Sequence, residues 1–257
     1  MGQSLFDFAY CPWFDQRLEQ LSLVAAPETW RFPDDTGLPI LWNYVHHTFK
    51  RMAETCDAGG TPDLVQIGGD GKLACFNSGL YTQNFEPIFA FLETNRTPDR
   101  QPWVLKGFFK ESDYHLRPFP KLPERAAYFR DISDLVFDYR SDIRINRDHI
   151  LNDPDNLERL PKNLQAPTTF DGAVAIAKKK VSANYKLAVP QYYERRIQLL
   201  IPLGFDPGRA DVALVITKEN QFYTGHTCLT LKMAYNNARL IAKPDSDWLK
   251  PNGTQPA

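Results

Sequence analysis

The sequence predicts an α+β fold: a mixed, mostly antiparallel sheet with flanking helices, formed as a single domain over residues 1–257. Three observations carry this. Runs with apolar residues at helical spacing occur beside short runs rich in β-branched and aromatic residues, so both element types are expected. Aromatics make up 13% of the chain and 20 prolines stand against 14 glycines, which favours a loop-containing mixed fold over a helical bundle. No internal repeat and no linker long enough to separate domains divides the chain, so one domain is the economical reading.

Residues 1–36 read as a lead-in anchored by Phe6, Phe8, Tyr10, Trp13 and Phe14, with a short helical run from Phe14 to Val24 and an extended ETWRFPDDTG ending in a turn. The clearest helix spans about Leu38 to Thr55, where Leu41, Tyr44, Val45, Phe49 and Met52 form one apolar stripe, with His47 and Arg51 along its flank. DAGGTP closes that helix, and LVQI, GGDG and KLACF read as a β-hairpin. FNSGL then leaves the strand through a tight turn, and a helix is expected from Asn84, with Glu86 and Pro87 in a first turn that favours both. WVLKGF and DLVFD read as strands around a Pro-rich stretch, and IRINRDHILND as a polar loop or short helix. A helix between about Asp171 and Leu187 carries Lys178, Lys179 and Lys180. The C-terminal third is β-rich: IQLLIPL, DVALVIT, a KENQ turn, QFYTG and HTCLTL read as an antiparallel meander closed by a final helix, with residues 250–257 a loose tail.

Composition narrows the function classes. A net charge of −1 gives no global basic field for wrapping DNA. The four cysteines are scattered without a CxxC pair, which fits reduced thiols in a cytoplasmic protein. No run of eighteen apolar residues suggests a membrane span, and the N-terminus lacks a signal-peptide pattern. The five histidines show no metal-ligand spacing, so neither a metal nor a cofactor is expected. GxSxG and the Walker motif are absent.

The polar residues that recur near apolar elements are Asn, Gln, Thr, Tyr and Arg. Amides suit base edges, arginine suits phosphate and aromatics suit base stacking. In FNSGLYTQ, residues Asn77, Ser78, Tyr81, Thr82 and Gln83 follow a strand end, where free N–H groups and short polar side chains form an anion nest; the competing reading is that they cap a turn. In the final helix, Asn237 points toward the apolar side with Met233, Leu240 and Ile241, Asn236 lies on the flank, and Tyr235 and Arg239 share the opposite flank. Arg195 stands beside an apolar strand where a guanidinium clamps phosphate or pairs with a surface carboxylate. His149, in a segment too polar for the core, is a candidate acid–base group, as is His47.

Taken together, LPILWNYVHHTFKRM, FNSGLYTQNFEPIFAFLETN, NRDHILND, QLLIPL, ADVALVI and LTLKMAYNNARLIAKPDSDWL resemble a bacterial family of unknown function, over about residues 27–249. Members of that family are often fused to cold-shock or OST-HTH (LOTUS-like) RNA-binding modules. FNSGL and AYNNARLI carry the resemblance most specifically; Ser78 stands where threonine is more frequent and Lys232 where an acidic residue is more frequent. The resemblance implies a role in RNA metabolism, stress response or defence and no particular reaction.

The expectation is therefore an RNA- or nucleotide-binding domain. Its ligand-binding residues would be Arg51, Asn77, Ser78, Tyr81, Thr82, Gln83, Arg195, Tyr235, Asn236, Asn237 and Arg239, its partners an RNA or nucleotide ligand, with an RNA-binding protein or a second copy of the chain as further partners. The alternatives are a metal-independent phosphodiester or nucleotide hydrolase using His149 or His47, and a structural or oligomerisation domain whose polar motifs form a buried network.

Overall fold

The computed structural model describes residues 4–57, 64–206 and 209–251. The fold class is the expected one, α+β with mixed, mostly antiparallel pairing, and the strands are shared between two five-stranded sheets. The chain divides into two compact units, Met1–Ala127 and Tyr128–Ala257. Residues 252–257 of the expected tail and most of DAGGTP lie outside the described residues.

In the first unit, helix α1 (Leu5–Phe8) leads into strand β1 (Ala9–Tyr10), and α2 spans Phe14–Val24 as its apolar spacing predicts. Helix α3 (Pro39–Asp57) buries Leu41, Tyr44, Val45, Phe49 and Met52, the stripe read from the sequence. Strands β2 (Val65–Gly68), β3 (Leu73–Tyr81), β4 (Pro87–Thr94) and β5 (Trp103–Lys110) complete a sheet of order β1-β5-β4-β3-β2, in which only the β1–β5 pair is parallel. The Phe49 ring meets Phe76 edge-on, while Cys75, Phe89 and Phe91 form a second cluster with Leu116 and Phe119.

The helix expected from Asn84 is strand β4. Residues Ile88 to Leu92 are all buried, so PIFAFL lacks the alternation of a half-exposed strand. A short continuous apolar run does not distinguish a strand buried on both faces from a buried helix, and Glu-Pro tipped the reading to the wrong one.

In the second unit, DLVFD is not a strand; a 3₁₀ turn occupies Ile132–Leu135. The stretch read as a polar loop or short helix opens with strand β6 (Asp142–Ile145) and continues as α4 (Arg147–Asn152), with α5 at Pro154–Arg159 and α6 at Pro167–Ala183. Strands β7 (Val189–Tyr193), β8 (Arg196–Leu203), β9 (Val212–Lys218) and β10 (Phe222–Leu229) form the meander, and β6 adds in parallel to β10, giving the order β6-β10-β9-β8-β7. Helix α7 spans Leu231–Arg239, with Thr230 as its N-cap.

One face of this second sheet makes the core. Leu199, Ile201 and Leu203 of β8, Val212, Leu214 and Ile216 of β9, and Ile143 of β6 pack with Ile150, Leu160, Phe170 and Val181 from the helices. Because side chains alternate along a strand, Gln198, Thr217, Thr224 and Arg144 belong to the opposite face. Helix α7 packs against β7, β9 and β10.

Candidate functional site

Of the seven predicted site residues of the first unit, Arg51, Asn77, Ser78 and Thr82 bond to main chain, Tyr81 and Gln83 are exposed, and His47 packs against a neighbouring ring. FNSGL is not a turn leaving a strand but part of β3, whose register with β4 shifts between Asn77 and Tyr81. Gly79 takes φ 78°, and a Cβ there would collide with the Tyr44 hydroxyl oxygen, so the position requires glycine. Asn77 accepts through Oδ1 from the Gly79 N–H at 2.8 Å and donates through Nδ2 to the Pro123 carbonyl at 3.4 Å. Ser78 donates to the Ile88 carbonyl at 2.6 Å and accepts from the Leu80 N–H at 3.2 Å. These bonds replace the ladder where the register shifts, because backbone groups left unpaired in a buried strand are costly. Thr82 accepts from the Glu86 N–H in the β3–β4 turn, while Tyr81 and Gln83 are exposed.

On α3, Arg51 donates through Nε to the Ala127 carbonyl at 2.8 Å and lies 3.9 Å from Glu54. His47 meets the His46 ring edge-on, and His46 stacks against both Phe6 and Trp42, which also contact each other. Burial first, then neighbouring His46 and Lys50 against a smaller opposing effect of Glu54, lowers the His47 pKa to about 4. His47 is therefore neutral at pH 7 and packed among rings.

The six predicted residues of the second unit divide differently. His149 is exposed on α4, and Arg195 occupies the two-residue β7–β8 turn with Glu194. Both turn residues have positive φ, 47° for Glu194 and 65° for Arg195, the conformation that sets a tight hairpin register. Helix α7 is rotated from the expected orientation. Its buried residues are Ala234, Tyr235, Ala238 and Arg239, with Tyr235 only 1% exposed, whereas Met233 is 38% exposed. Leu240 and Ile241 of the expected stripe are buried, but within the helix the buried side is that of Ala234, Tyr235, Ala238 and Arg239 and does not include Met233. Asn236 and Asn237 are half-buried at the margin instead of facing the core.

From Asn237 a chain of side-chain hydrogen bonds crosses the sheet. Its Nδ2 donates to Gln191 Oε1 at 3.1 Å; Gln191 Nε2 donates to Gln198 Oε1 at 2.9 Å; Gln198 Nε2 donates to Thr217 Oγ1 at 3.0 Å. Register places these groups in one row: Gln191 is opposite Gln198, Leu199 opposite Ile216 in the next pair, and Thr217 opposite Thr224, itself opposite Arg144. Every donor points from α7 toward β9, so each bond polarises the next. The row ends openly. The Thr217 hydroxyl accepts from Gln198 and its own proton has no acceptor among the described residues, and Thr224 Oγ1 is buried without a partner. Asn236 Oδ1, at the α7 end, is also buried without one. A buried unpaired polar atom costs roughly 1–3 kcal/mol, which a bound ligand or water recovers. Beyond Thr224, the Arg144 guanidinium lies 3.7 Å from the centre of the Phe222 ring.

Gln191, Gln198, Thr217, Thr224 and Arg144 are not among the site residues read from the sequence. The signal was present: reading ER in YYERRI as a two-residue turn pairs Tyr193 with Arg196, and counting outward pairs Gln191 with Gln198.

Other chemistry is less well supported. Burial raises the thiols of Cys11, Cys75 and Cys228 to about 12, so none of these three is a ready thiolate. Among the described residues no group of three His, Cys, Asp or Glu is placed to hold a metal, and no helix is long and apolar enough to cross a membrane. A cleft of about 470 Å³ is lined by Phe137, Tyr139, Tyr185, Arg140 and Lys218, but Asp138 holds Arg140 through two hydrogen bonds, and its charge faces Lys218 as well.

Comparison with curated proteins gives no match, and neither does comparison with solved structures. The family model described as Domain of unknown function (DUF3825) matches residues 21–248, a span that includes FNSGL, all five strands of the second sheet and α7. The chain therefore belongs to the DUF3825 family.

Proposed function

We propose that this chain binds a nucleotide or a short length of single-stranded RNA along the amide and hydroxyl row on the face of its second sheet opposite the larger core cluster. The observation that carries the reading is the one-way row from Asn237 through Gln191 and Gln198 to Thr217. Amide and hydroxyl groups offer donors and acceptors in the pattern that base edges and ribose require. The row's interior bonds hold those groups in fixed orientations, and its free end offers a hydroxyl proton beside the unpartnered Thr224 oxygen. Phe222 and Arg144 add a planar surface and a cation at that end, the pairing used for bases and phosphates.

A structural role is the competing reading, and one observation favours it: Gln191, in the middle of the row, is buried with both its amide oxygen and nitrogen engaged. Fluorescence anisotropy with a labelled short single-stranded RNA, competed by nucleoside monophosphates, separates the two. Nucleotide binding predicts saturable binding that Gln198→Leu weakens by about tenfold or more, since ligand groups aimed at the row lose their oriented partners. No binding, and no rise in melting temperature with excess nucleotide, would leave the structural role standing.

A further inference from the structure

The strand ladder on the β6 side of β10 ends early. The last pair is Gly225 with Ile145, and β10 continues to Leu229. Helix α5 occupies the vacated edge: buried Asn156 accepts through Oδ1 from the Cys228 N–H at 3.0 Å and from the Thr227 hydroxyl at 2.6 Å. That placement brings Arg159, three residues on along α5, to within 3.4 Å of Thr227 Oγ1. On the other side of the end of the ladder, Arg144 of β6 stands in register with Thr224. Thr227 is paired with Val215 of β9 and Thr224 with Thr217, residues that alternate with Leu214 and Ile216 of the larger core cluster, so both threonines belong to the opposite face.

Two arginines thus flank this length of β10, Arg144 with its guanidinium over the Phe222 ring and Arg159 against Thr227, at the end of the row where donors point outward. Neither has a carboxylate within ion-pair distance among the described residues, although nearby cations do: Arg147 is paired with Asp171 and Lys178 with Asp142. Two cations, an unclaimed Thr217 proton and an unpartnered Thr224 hydroxyl oxygen present donors and no competing anion. That chemistry selects a phosphoryl group, with arginine's forked donors suited to its oxygens.

We infer that this edge of the second sheet holds phosphoryl groups of the ligand, with Arg144 and Arg159 as cationic partners and Thr217 and Thr224 as hydroxyl donors. The inference rests on the nucleotide-binding reading and adds the ligand's direction: phosphate at the β6–β10 edge, base toward Gln198, Gln191 and α7.

The test is the salt dependence of binding by a short single-stranded RNA, with a 5′-phosphate and with a 5′-hydroxyl, to the wild-type protein and to Arg144→Ala, Arg159→Ala and Arg144→Lys. Each alanine variant is expected to bind less tightly and to make the plot of log K against log salt shallower by about 0.7, the value for one phosphate contact on a single strand. Arg144→Lys should keep the salt slope. A difference between the two RNAs that the alanine variants abolish assigns the site to a terminal phosphate; equal behaviour with the same loss of slope assigns it to the backbone. Unchanged affinity and slope in both alanine variants, with Gln198→Leu still impaired, would overturn the phosphate assignment and leave the nucleotide reading intact. No binding by the wild type would overturn both.

Discussion

The FNSGL segment of β3 and the amide row of β7, β8 and β9 contain the same kinds of side chain and use them in opposite ways. Asn77 and Ser78 bond only to main chain, each giving and accepting at carbonyl and N–H groups that a shifted register would leave unpaired. Asn237, Gln191 and Gln198 bond to one another, and their chain ends on the unbonded proton of Thr217. A polar side chain consumed by its own backbone stabilises a fold. A row of side chains with an open end retains directed hydrogen-bonding capacity for something else. Residue type does not distinguish the two; the partners do.

The largest effect is expected at Gly79. Alanine there must hold a left-handed φ and displace the Tyr44 hydroxyl, so Gly79→Ala should cost about 3 kcal/mol or more, read as a fall in the urea midpoint. A midpoint unchanged within error would show that the β3 irregularity is not the structural device described above.

Acid should expose the first unit next. The folded His47 pKa of about 4 lies below the ordinary value near 6.5 because burial disfavours the charged ring. The unfolded chain therefore binds more protons between those values, so stability is full above about pH 6.5 and falls as pH drops toward 4. Burial likewise lowers His46. His47 is only half-buried, so its share is discounted for solvent to about 1–2 kcal/mol. His47→Gln should flatten the dependence of the urea midpoint on pH across this window; an equal slope in variant and wild type would contradict the assignment.

A smaller loss is expected for Asn77→Ala, about 1–2 kcal/mol, from the Gly79 N–H and Pro123 carbonyl it leaves without their partners. At temperatures where the variant is folded, its ligand binding should match the wild type. Loss of binding with folding intact would break the contrast between the two regions and return FNSGL to the status of a site.

Much of the fold was legible because local signals were strong. Helix α2 begins and ends where its apolar spacing says, and α3 carries the predicted stripe. The hairpin of β2 and β3 follows from GGDG, and the meander from short apolar and β-branched runs separated by turns. The failures share a cause: tertiary burial removed the periodicity on which the reading depends. Strand β4 is covered on both faces and lost its alternation, and α7 buries Tyr235 and Arg239 on the side its assumed stripe leaves to solvent. The site was less legible still. Gln191, Gln198, Thr217 and Thr224 come from four strands, and their alignment exists only once the register of all four is known.

The central claim is that the row is a ligand site and the FNSGL segment is not. The most direct measurement titrates one labelled single-stranded RNA into wild type, Gln198→Leu and Asn77→Ala, each shown to be folded by circular dichroism at the assay temperature. The account predicts binding by wild type and Asn77→Ala alike, and at least about tenfold weaker binding by Gln198→Leu. Equal binding by Gln198→Leu and wild type, or loss of binding in Asn77→Ala alone, would contradict it.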